Sequence, residues 1–503
     1  MEQLCLWRTI HLHHRRSFAS LRINCKKLRR TKIIATLGPA CNNEETIQRL
    51  LTSGVDVFRL NFSHGTPPER VRLIEIIRHA ATENGKYVPI MGDIQGPKLR
   101  IGEVDGVVQL QNGATFVITT DPVQGNASMV STPFTHLTKE VQLGHRILIN
   151  DGLVEMVVTG IDEKQVTTRV LHGGPISSRK GMNFPDTELT IPAVTEKDRE
   201  DVKFAVEHQL DYIAASFVRR RSDIVELRDL LQALGGGEIN VIAKLEKAQA
   251  IDALEQILEA SDGVMVARGD LGVELPPEDV PIVQKRILAS ASRWGKFAIT
   301  ATQMLESMTV SSRPTRAEAS DVANAIFDGS DAVMLSAETA SGNYPIEAVQ
   351  MMARIIMAAE QNRELVAWEK REPFRQLSET DEFTDALAGA ANYAAEQLEA
   401  KFIVVFTQTG FAARLMSKFR PNQPIIALSP SSWVARRMNI LWGVQPFVLK
   451  EVGEYHEQIV ERVDDFLLSR DIVSPGDRLV ILMGSPIYQR AKTNLLRVHR
   501  VRV

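Results

Sequence analysis

Two short segments, Lys244-Leu-Glu246 and Arg268-Gly269-Asp270, set an ammonium, a guanidinium, two carboxylates and a glycine step close together in the chain. Lys244 and Glu246 are two residues apart, so on an extended strand they share a face. Glu246 and Asp270 are hard oxygen donors, suited to Mg²⁺ or Mn²⁺, which keep positions open for substrate oxygens. The same residues also read as a self-contained Lys244–Glu246–Asp270 salt-bridge network. Upstream, Arg59, Asn61 and Ser63 are spaced i, i+2, i+4, followed by His64, and Asp93 ends another apolar run. Downstream come Thr300-Ala-Thr302 and Ser336-Ala-Glu338. The N–H groups of Gly269-Asp270-Leu271-Gly272 open towards a helical segment and can receive a carboxylate or phosphate. Cations, N–H donors and a divalent-ion pair together stabilise an enolate or a phosphoryl group in transfer. Any one of these residues fits an ordinary loop; six run ends carrying such groups do not.

Each group terminates a short apolar run. The runs are 32–38, 55–64, 87–96, 212–218, 240–246, 263–271, 297–304 and 332–339, with amphipathic stretches such as Pro68–Gly85, Thr195–Gln209 and Pro277–Gly295 between most of them. Near-continuous apolarity is what a strand needs when both faces are covered, as in a parallel sheet. Eight β/α units predict a closed (β/α)8 TIM barrel with function at the C-terminal strand ends; two stacked doubly wound halves are the alternative. Residues 97–192 interrupt the units. VVQLQNGATFVITT, HRILINDGLVEMVVTGI and KQVTTRVLHGG alternate with period two around Asn-Gly, Asp-Gly and Gly-Gly turns, which predicts an inserted small β-barrel domain over the barrel mouth, a natural lid. Runs at 402–406, 423–429, 444–450 and 478–484 predict a C-terminal open α/β domain. The expected organisation is therefore an α/β chain: an extension over 1–28, a barrel over 29–96 and 193–361, the lid over 97–192, and a C-terminal α/β domain over 362–503 with a linker near 369–382. The TQTG loop (407–410) of that last domain reads either as an anion cradle or as a plain βα connection.

With 503 residues, 44% apolar and 24% charged, the chain has ordinary globular composition, excluding disorder, collagen or coiled coil as its class. A net charge of −3 leaves no footprint for nucleic acid or an anionic membrane. Cys5, Cys25 and Cys41 form no disulfide framework or metal spacing, which fits a reducing compartment. No apolar run reaches the length of a membrane span. The expected location is the cytoplasm. Residues 1–30 carry eight Lys or Arg against the single acid Glu2, so the alternatives are an organellar transit peptide or a plain N-terminal extension.

RLNFSHG (59–65), GDIQGPKLR (92–100), KGMNFPD (180–186), AKLEK (243–247), MVARGDLGVE (265–274), ATQMLESM (301–308) and the block 313–345 resemble the pyruvate kinases. The likeness runs in order from about residue 29 to the C-terminus, weaker in the β insert and the last domain. It implies transfer of the phosphoryl group of phosphoenolpyruvate to ADP, giving pyruvate and ATP, the last step of glycolysis. By motif position, Glu246 and Asp270 hold Mg²⁺ (or Mn²⁺), and Lys244 neutralises the phosphoryl group and the enolate oxygen. Gly269, Asp270 and Thr302 receive the substrate carboxylate, Thr302 near the face that is protonated. Arg59 contacts the phosphoryl group; Asn61, Phe62, Ser63, His64, Arg100 and Lys180 serve the nucleotide. A homotetramer is also implied.

The departures carry information too. Many family members bind K⁺ through residues matching Asn61, Ser63, Asp93 and the carbonyl of Ile94, and carry Glu where this sequence has Lys98. An ammonium there can replace the monovalent cation, so activity independent of K⁺ is expected, as in a bacterial subgroup with the same Gln-Gly-Pro-Lys run. In the last domain TQTG is followed by Phe411-Ala412-Ala413, without the hydroxyls that grip a sugar phosphate; a sugar-phosphate or nucleotide effector is compatible, its identity open. Ser341 replaces a lysine found in many members. A metal-dependent barrel lyase or aldolase acting on pyruvate-like enolates, and a catalytically silent metabolite sensor, are the competing readings.

Overall fold

The computed structural model describes residues 28–362, 379–450, 456–484 and 493–502. Residues 1–27 of the expected N-terminal extension (1–28) and most of the expected linker lie outside the described residues. Eight strands form the barrel: β1 (Lys32–Thr36), β2 (Val57–Asn61), β3 (Ile90–Asp93), β4 (Tyr212–Ala215), β5 (Asn240–Leu245), β6 (Gly263–Ala267), β7 (Phe297–Ala301) and β8 (Ala332–Leu335). They close in the order β1-β8-β7-β6-β5-β4-β3-β2. Pairing is parallel where β1 meets β8 (Ile34 opposite Met334) and β2, and where β5 meets β6 (Ala243 opposite Val264). Six of the eight strands are buried along their whole length, which is why their sequences are apolar without alternation.

The strand feet repeat a device every second strand. Asp56, Asp211, Asp262 and Asp331 immediately precede β2, β4, β6 and β8. Each carboxylate accepts an N–H from the first two residues of the strand before: Ile33 (2.8 Å), Ile90 (2.9 Å), Val241 (2.9 Å) and Ala298 (2.8 Å). A buried N–H without a partner is costly, and these four are supplied with one. Each carboxylate is in turn matched by a cation: Arg29 at 2.6 Å, Arg78 and Arg436 both at 2.8 Å, Arg228 at 2.7 Å, and Lys418 with Arg420.

By density of internal packing the chain divides into two compact units, one comprising residues up to Gly92, Glu207–Ile213 and the chain from Leu288 onward, the other Asp93–Val206 and Ala214–Ile287. The second unit holds the β insert. Its strands lie in a six-stranded sheet, in the order 182–183, 146–149, 154–161, 165–172, 115–119, 129–131, and in a two-stranded ribbon of 175–177 with 107–109. The small β-barrel expected for the insert is thus a body whose strands fall into two sheets, with one short helix, Leu137–Glu140. Val154–Ile161 and Gln165–His172 alternate buried and open positions, as their period-two sequences require, and the inward set shares one core with Phe116, Ile147 and Phe184. Asn150, Asp151 and Gly152 turn the first hairpin with φ of 58°, 54° and 83°.

The first unit holds the C-terminal sheet: β9 (Phe402–Phe406), β10 (Ile425–Ser429), β11 (Val444–Val448), β12 (Arg478–Gly484) and β13 (Thr493–Arg500), in the order β11-β10-β9-β12-β13. The first four are parallel; β13 is an antiparallel edge strand. Its half-exposed, mixed sequence offers no buried run and so carries no strand signal of its own. This sheet's helices reach the barrel feet. Arg436 meets Asp211, Lys418 and Arg420 meet Asp331, and buried Lys32 donates to the Val444 carbonyl at 2.7 Å. Among the described residues, no helix is long and apolar enough to cross a membrane.

Candidate active site

In the second unit, polar side chains gather at the ends of β3, β4 and β5. Lys244 is the hub. Its Nζ lies 2.9 Å from Glu246 Oε1 and 3.3 Å from Asp93 Oδ1, and donates to Ser216 Oγ at 2.6 Å. The i, i+2 spacing does bring Lys244 and Glu246 to one face. Glu246 is 1% exposed, and its second oxygen accepts the Phe217 N–H at 2.6 Å. Phe217 takes φ of +55°, a left-handed conformation that is uncommon for a bulky side chain and marks a local constraint. Burial holds the Glu246 carboxyl above the usual carboxylate range; the Lys244 ammonium pulls it down and the Asp270 charge pushes it up again. Asp270 follows β6 in the first turn of the short helix Arg268–Glu274. Two carboxylates, Asp93 and Glu246, therefore contact one ammonium, and the charge of a third, Asp270, is felt at Glu246. Buried negative charge in that excess, on hard oxygens, fits a divalent cation held by Glu246 and Asp270.

Asp270 also lines a small cavity of about 20 Å³ with Lys98, Asn183, Phe217, Arg219 and Lys247, room for about one water molecule. Lys247 Nζ and Asn183 Nδ2 converge on Glu274 Oε1 at 2.5 and 2.8 Å, and Arg219 donates to the Leu189 and Ile191 carbonyls where the insert returns to the barrel. Lys98 lies beside Gly181, whose absent Cβ would sit 3.5 Å from Lys98 Cε. Arg100 bridges to Gly181 and donates to the Arg179 carbonyl at 3.0 Å, and the Lys180 carbonyl accepts the Ile101 N–H. Arg100 and Lys180 thus stand together on the ribbon joining insert and barrel. Ile94 is buried, its N–H bonded to the Ala214 carbonyl.

In the first unit, a cavity of about 620 Å³ is lined by Thr36, Arg59, Asn61, His64, Gly65 and Ser341, among others. Arg59 is 9% exposed and donates to Thr36 Oγ1 at 3.0 Å. Asn61 closes the turn after β2: its Oδ1 accepts the Ser63 N–H and its carbonyl the His64 N–H, both at 3.1 Å. The side chains of Ser63 and His64 are exposed. Phe62 is the exception among the expected nucleotide residues. Its ring is fully buried, 2.8 Å from where a Cβ on Gly92 would lie, so only its backbone is available to a ligand.

Thr302 follows β7 with φ of +67°, and Gln303 with +54°. For a β-branched residue the first is a true outlier, the kind of strain that clusters at functional sites. Thr302 Oγ1 donates to the Ala301 carbonyl at 2.6 Å. Glu338, fully buried, accepts the N–H groups of Ser336 (2.7 Å) and Leu305 (3.1 Å). It thereby ties the end of β8 to the loop that carries Thr302. The sequence pointed to Glu338 as a strand-end acid; its part is to hold a neighbouring loop. Ser216 and Phe217 were missed, because a serine and a phenylalanine after an apolar run look like its unremarkable end.

An eight-stranded parallel barrel with a buried lysine–carboxylate cluster at its strand ends defines the class: a (β/α)8 enzyme built for anionic, metal-assisted chemistry. Comparison with known proteins narrows it. Residues 28–349 match the family described as pyruvate kinase, barrel domain, and residues 385–499 match pyruvate kinase, alpha/beta domain. Pyruvate kinases of Sporosarcina psychrophila and Geobacillus stearothermophilus are each 42% identical to this chain, over 478 and 476 residues; both alignments cover 94% of this chain and 80% of the relative. A crystal structure of a pyruvate kinase from Cryptosporidium parvum aligns with TM-score 0.86 and 37% identity, covering 95% of this chain and 97% of that one. The chain belongs to the pyruvate kinase family. Enzymes of this family generally use a divalent metal ion.

Proposed function

We propose that this chain transfers the phosphoryl group of phosphoenolpyruvate to ADP and releases pyruvate, closing glycolysis. The observation that carries this reading is the Lys244 ammonium held among Asp93, Glu246 and Ser216, with the Asp270 charge acting on Glu246. The phosphorus–oxygen bond to the enol breaks, a bond to the terminal ADP oxygen forms, and the enolate carbon then takes a proton. Glu246 and Asp270 would hold a Mg²⁺ or Mn²⁺ ion, which when bound would supply charge neutralisation to the substrate oxygens. Lys244 stabilises the charge that grows on the phosphoryl oxygens and the enolate oxygen, and does so without reorganising, since its neighbours already fix it. Arg59, restrained by Thr36, takes the phosphoryl group. The N–H groups of Gly269 and Asp270 and the Thr302 hydroxyl receive the substrate carboxylate. Asn61, Ser63, His64, the Phe62 backbone, Arg100 and Lys180 serve the nucleotide.

In the same reading, residues 29–96 and 193–361 are the catalytic barrel, 97–192 the lid, and 362–503 the domain for subunit contacts and an effector near 407–410. The Thr407 hydroxyl there accepts the Gly410 N–H at 3.0 Å, and the loop has few other hydroxyls to offer a sugar phosphate. Lys98 takes the part of the monovalent cation served in other members by residues matching Asn61, Ser63, Asp93 and Ile94, so K⁺ is not required. Family likeness supports a cytoplasmic homotetramer. A coupled assay with phosphoenolpyruvate, ADP and Mg²⁺ in tetramethylammonium buffer tests both proposals. Pyruvate should form only when ADP is present, and added K⁺ should change the rate by less than about twofold, since a fixed ammonium supplies the charge. Pyruvate formation without ADP, with the phosphoryl group passing to water as inorganic phosphate, would make the enzyme a phosphatase; a strict need for K⁺ would remove the role given to Lys98.

A further inference from the structure

The loop after β2 carries more polar groups than its own turn can hold in place. Asn61 to Gly65 make two bonds among themselves, both to Asn61, while residues 63–65 are exposed. What fixes the remainder is a residue outside the loop. Arg70 sits in the first turn of the helix Pro67–Glu83, which Thr66 and Glu69 begin with a reciprocal capping box. The residue is 7% exposed, and its guanidinium carbon lies 4.6 Å from the centroid of the buried Phe62 ring. Its Nη2 donates to three carbonyl groups of the loop, Phe62 at 2.7 Å, His64 at 3.1 Å and Gly65 at 3.3 Å.

The consequence follows from peptide geometry. In a trans peptide the carbonyl of one residue and the N–H of the next point in opposite directions. With the carbonyls of Phe62, His64 and Gly65 drawn to Arg70, the N–H groups of Ser63, Gly65 and Thr66 face away from it. The Ser63 N–H is taken by Asn61 and the Thr66 N–H by Glu69 (2.7 Å). Among the described residues the Gly65 N–H has no acceptor, and Gly65 lines the 620 Å³ cavity. Gly65 also holds φ at +73°, a conformation that side chains other than glycine disfavour.

We propose that Arg70 is a positioning residue for the nucleotide: by gripping three carbonyls it turns the Gly65 N–H outward as a donor for an ADP phosphate oxygen. This rests on the reading of the cavity as the nucleotide site. A planar guanidinium stacked on a ring suits the task better than an ammonium, whose charge is a point and whose stem is flexible.

Steady-state kinetics on the purified full chain test the idea. Arg70→Met should raise the ADP KM about tenfold, the scale of one oriented hydrogen bond to a charged group. The phosphoenolpyruvate KM and the kcat at saturating ADP should stay within about twofold, and Arg70→Lys should recover part of the loss. A purely structural role would instead move both KM values and kcat together with the melting temperature, and that result overturns the proposal. Where Arg70→Met does not fold, Arg70→Gln, which keeps a planar donor group, is measured in its place with the same expectations. Ser341→Trp, which fills the cavity from its exposed edge, separates the two levels of the reading. If it raises the ADP KM while the Arg70 variants do not, positioning by Arg70 is refuted and the cavity assignment stands. If neither change moves the ADP KM, the cavity assignment falls.

Discussion

Lys244 is held by three oxygen-bearing neighbours, and two of them are carboxylates buried to within 2% of full exclusion. Removing its charge therefore has two separable effects. Lys244→Met should lower kcat by roughly 10³-fold or more, because a preorganised cation is lost where negative charge develops. It should also lower the melting temperature, because Asp93 and Glu246 are left buried without their counter-ion. The second effect should shrink when Mg²⁺ is added, since a ligand bound only by the folded chain stabilises it. A variant of normal turnover would remove Lys244 from the chemistry. The Lys244–Glu246 pair was legible at this scale, because a two-residue spacing on a strand fixes a shared face. Asp93 and Ser216 as its partners were not, since each comes from a different strand.

At the scale of elements, the acid at the foot of every second strand is a recurrent solution to one problem. A parallel strand begins with an N–H that its neighbour does not reach, and each Asp supplies the acceptor while a cation supplies the counter-charge. Asp331 shows the balance: burial pushes its carboxyl up, yet Arg420 and Lys418, with the Lys418 and Ala298 hydrogen bonds, hold it below the usual range. Asp331→Asn keeps the acceptor for Ala298 but strands two buried cations, and should cost about 3–5 kcal/mol, read as a lower urea midpoint at unchanged slope. A loss under 1 kcal/mol would mean the pair is not the constraint described. Legible in sequence at this scale were the eight apolar runs and the alternating insert, both products of local periodicity. The Asp repeat is not legible there, because a single acid before an apolar run also reads as a simple turn residue.

For the molecule as a whole, Lys32 joins the barrel foot to the C-terminal sheet through Val444 and Asn439. Burial lowers its ammonium from 10.5 to about 8, against the attraction of Asp56. In the unfolded chain Lys32 keeps its proton up to about pH 10.5; in the folded chain it releases it near 8. Between those values the unfolded state binds more protons, so stability rises with pH across the window, and the full burial penalty applies below about pH 8. Lys32→Met lacks this dependence. The melting temperature of the natural chain relative to the variant should therefore climb between pH 7.5 and 9.5; a flat difference, measured by scanning fluorimetry, would contradict the burial of a charged Lys32.

Sequence alone determined what depends on neighbours along the chain: strands covered on both faces, their number, the period-two insert, the Lys244–Glu246 face and the family motifs. Only the tertiary structure decided which groups meet across the barrel. Ser216 and Asp93 reach Lys244 from other strands, Phe217 turns its N–H to Glu246 by adopting a positive φ, and Lys418 finds Asp331 across 87 residues. Closure of a ring brings together residues whose separation in sequence carries no periodic signal, so those contacts leave no local trace to read.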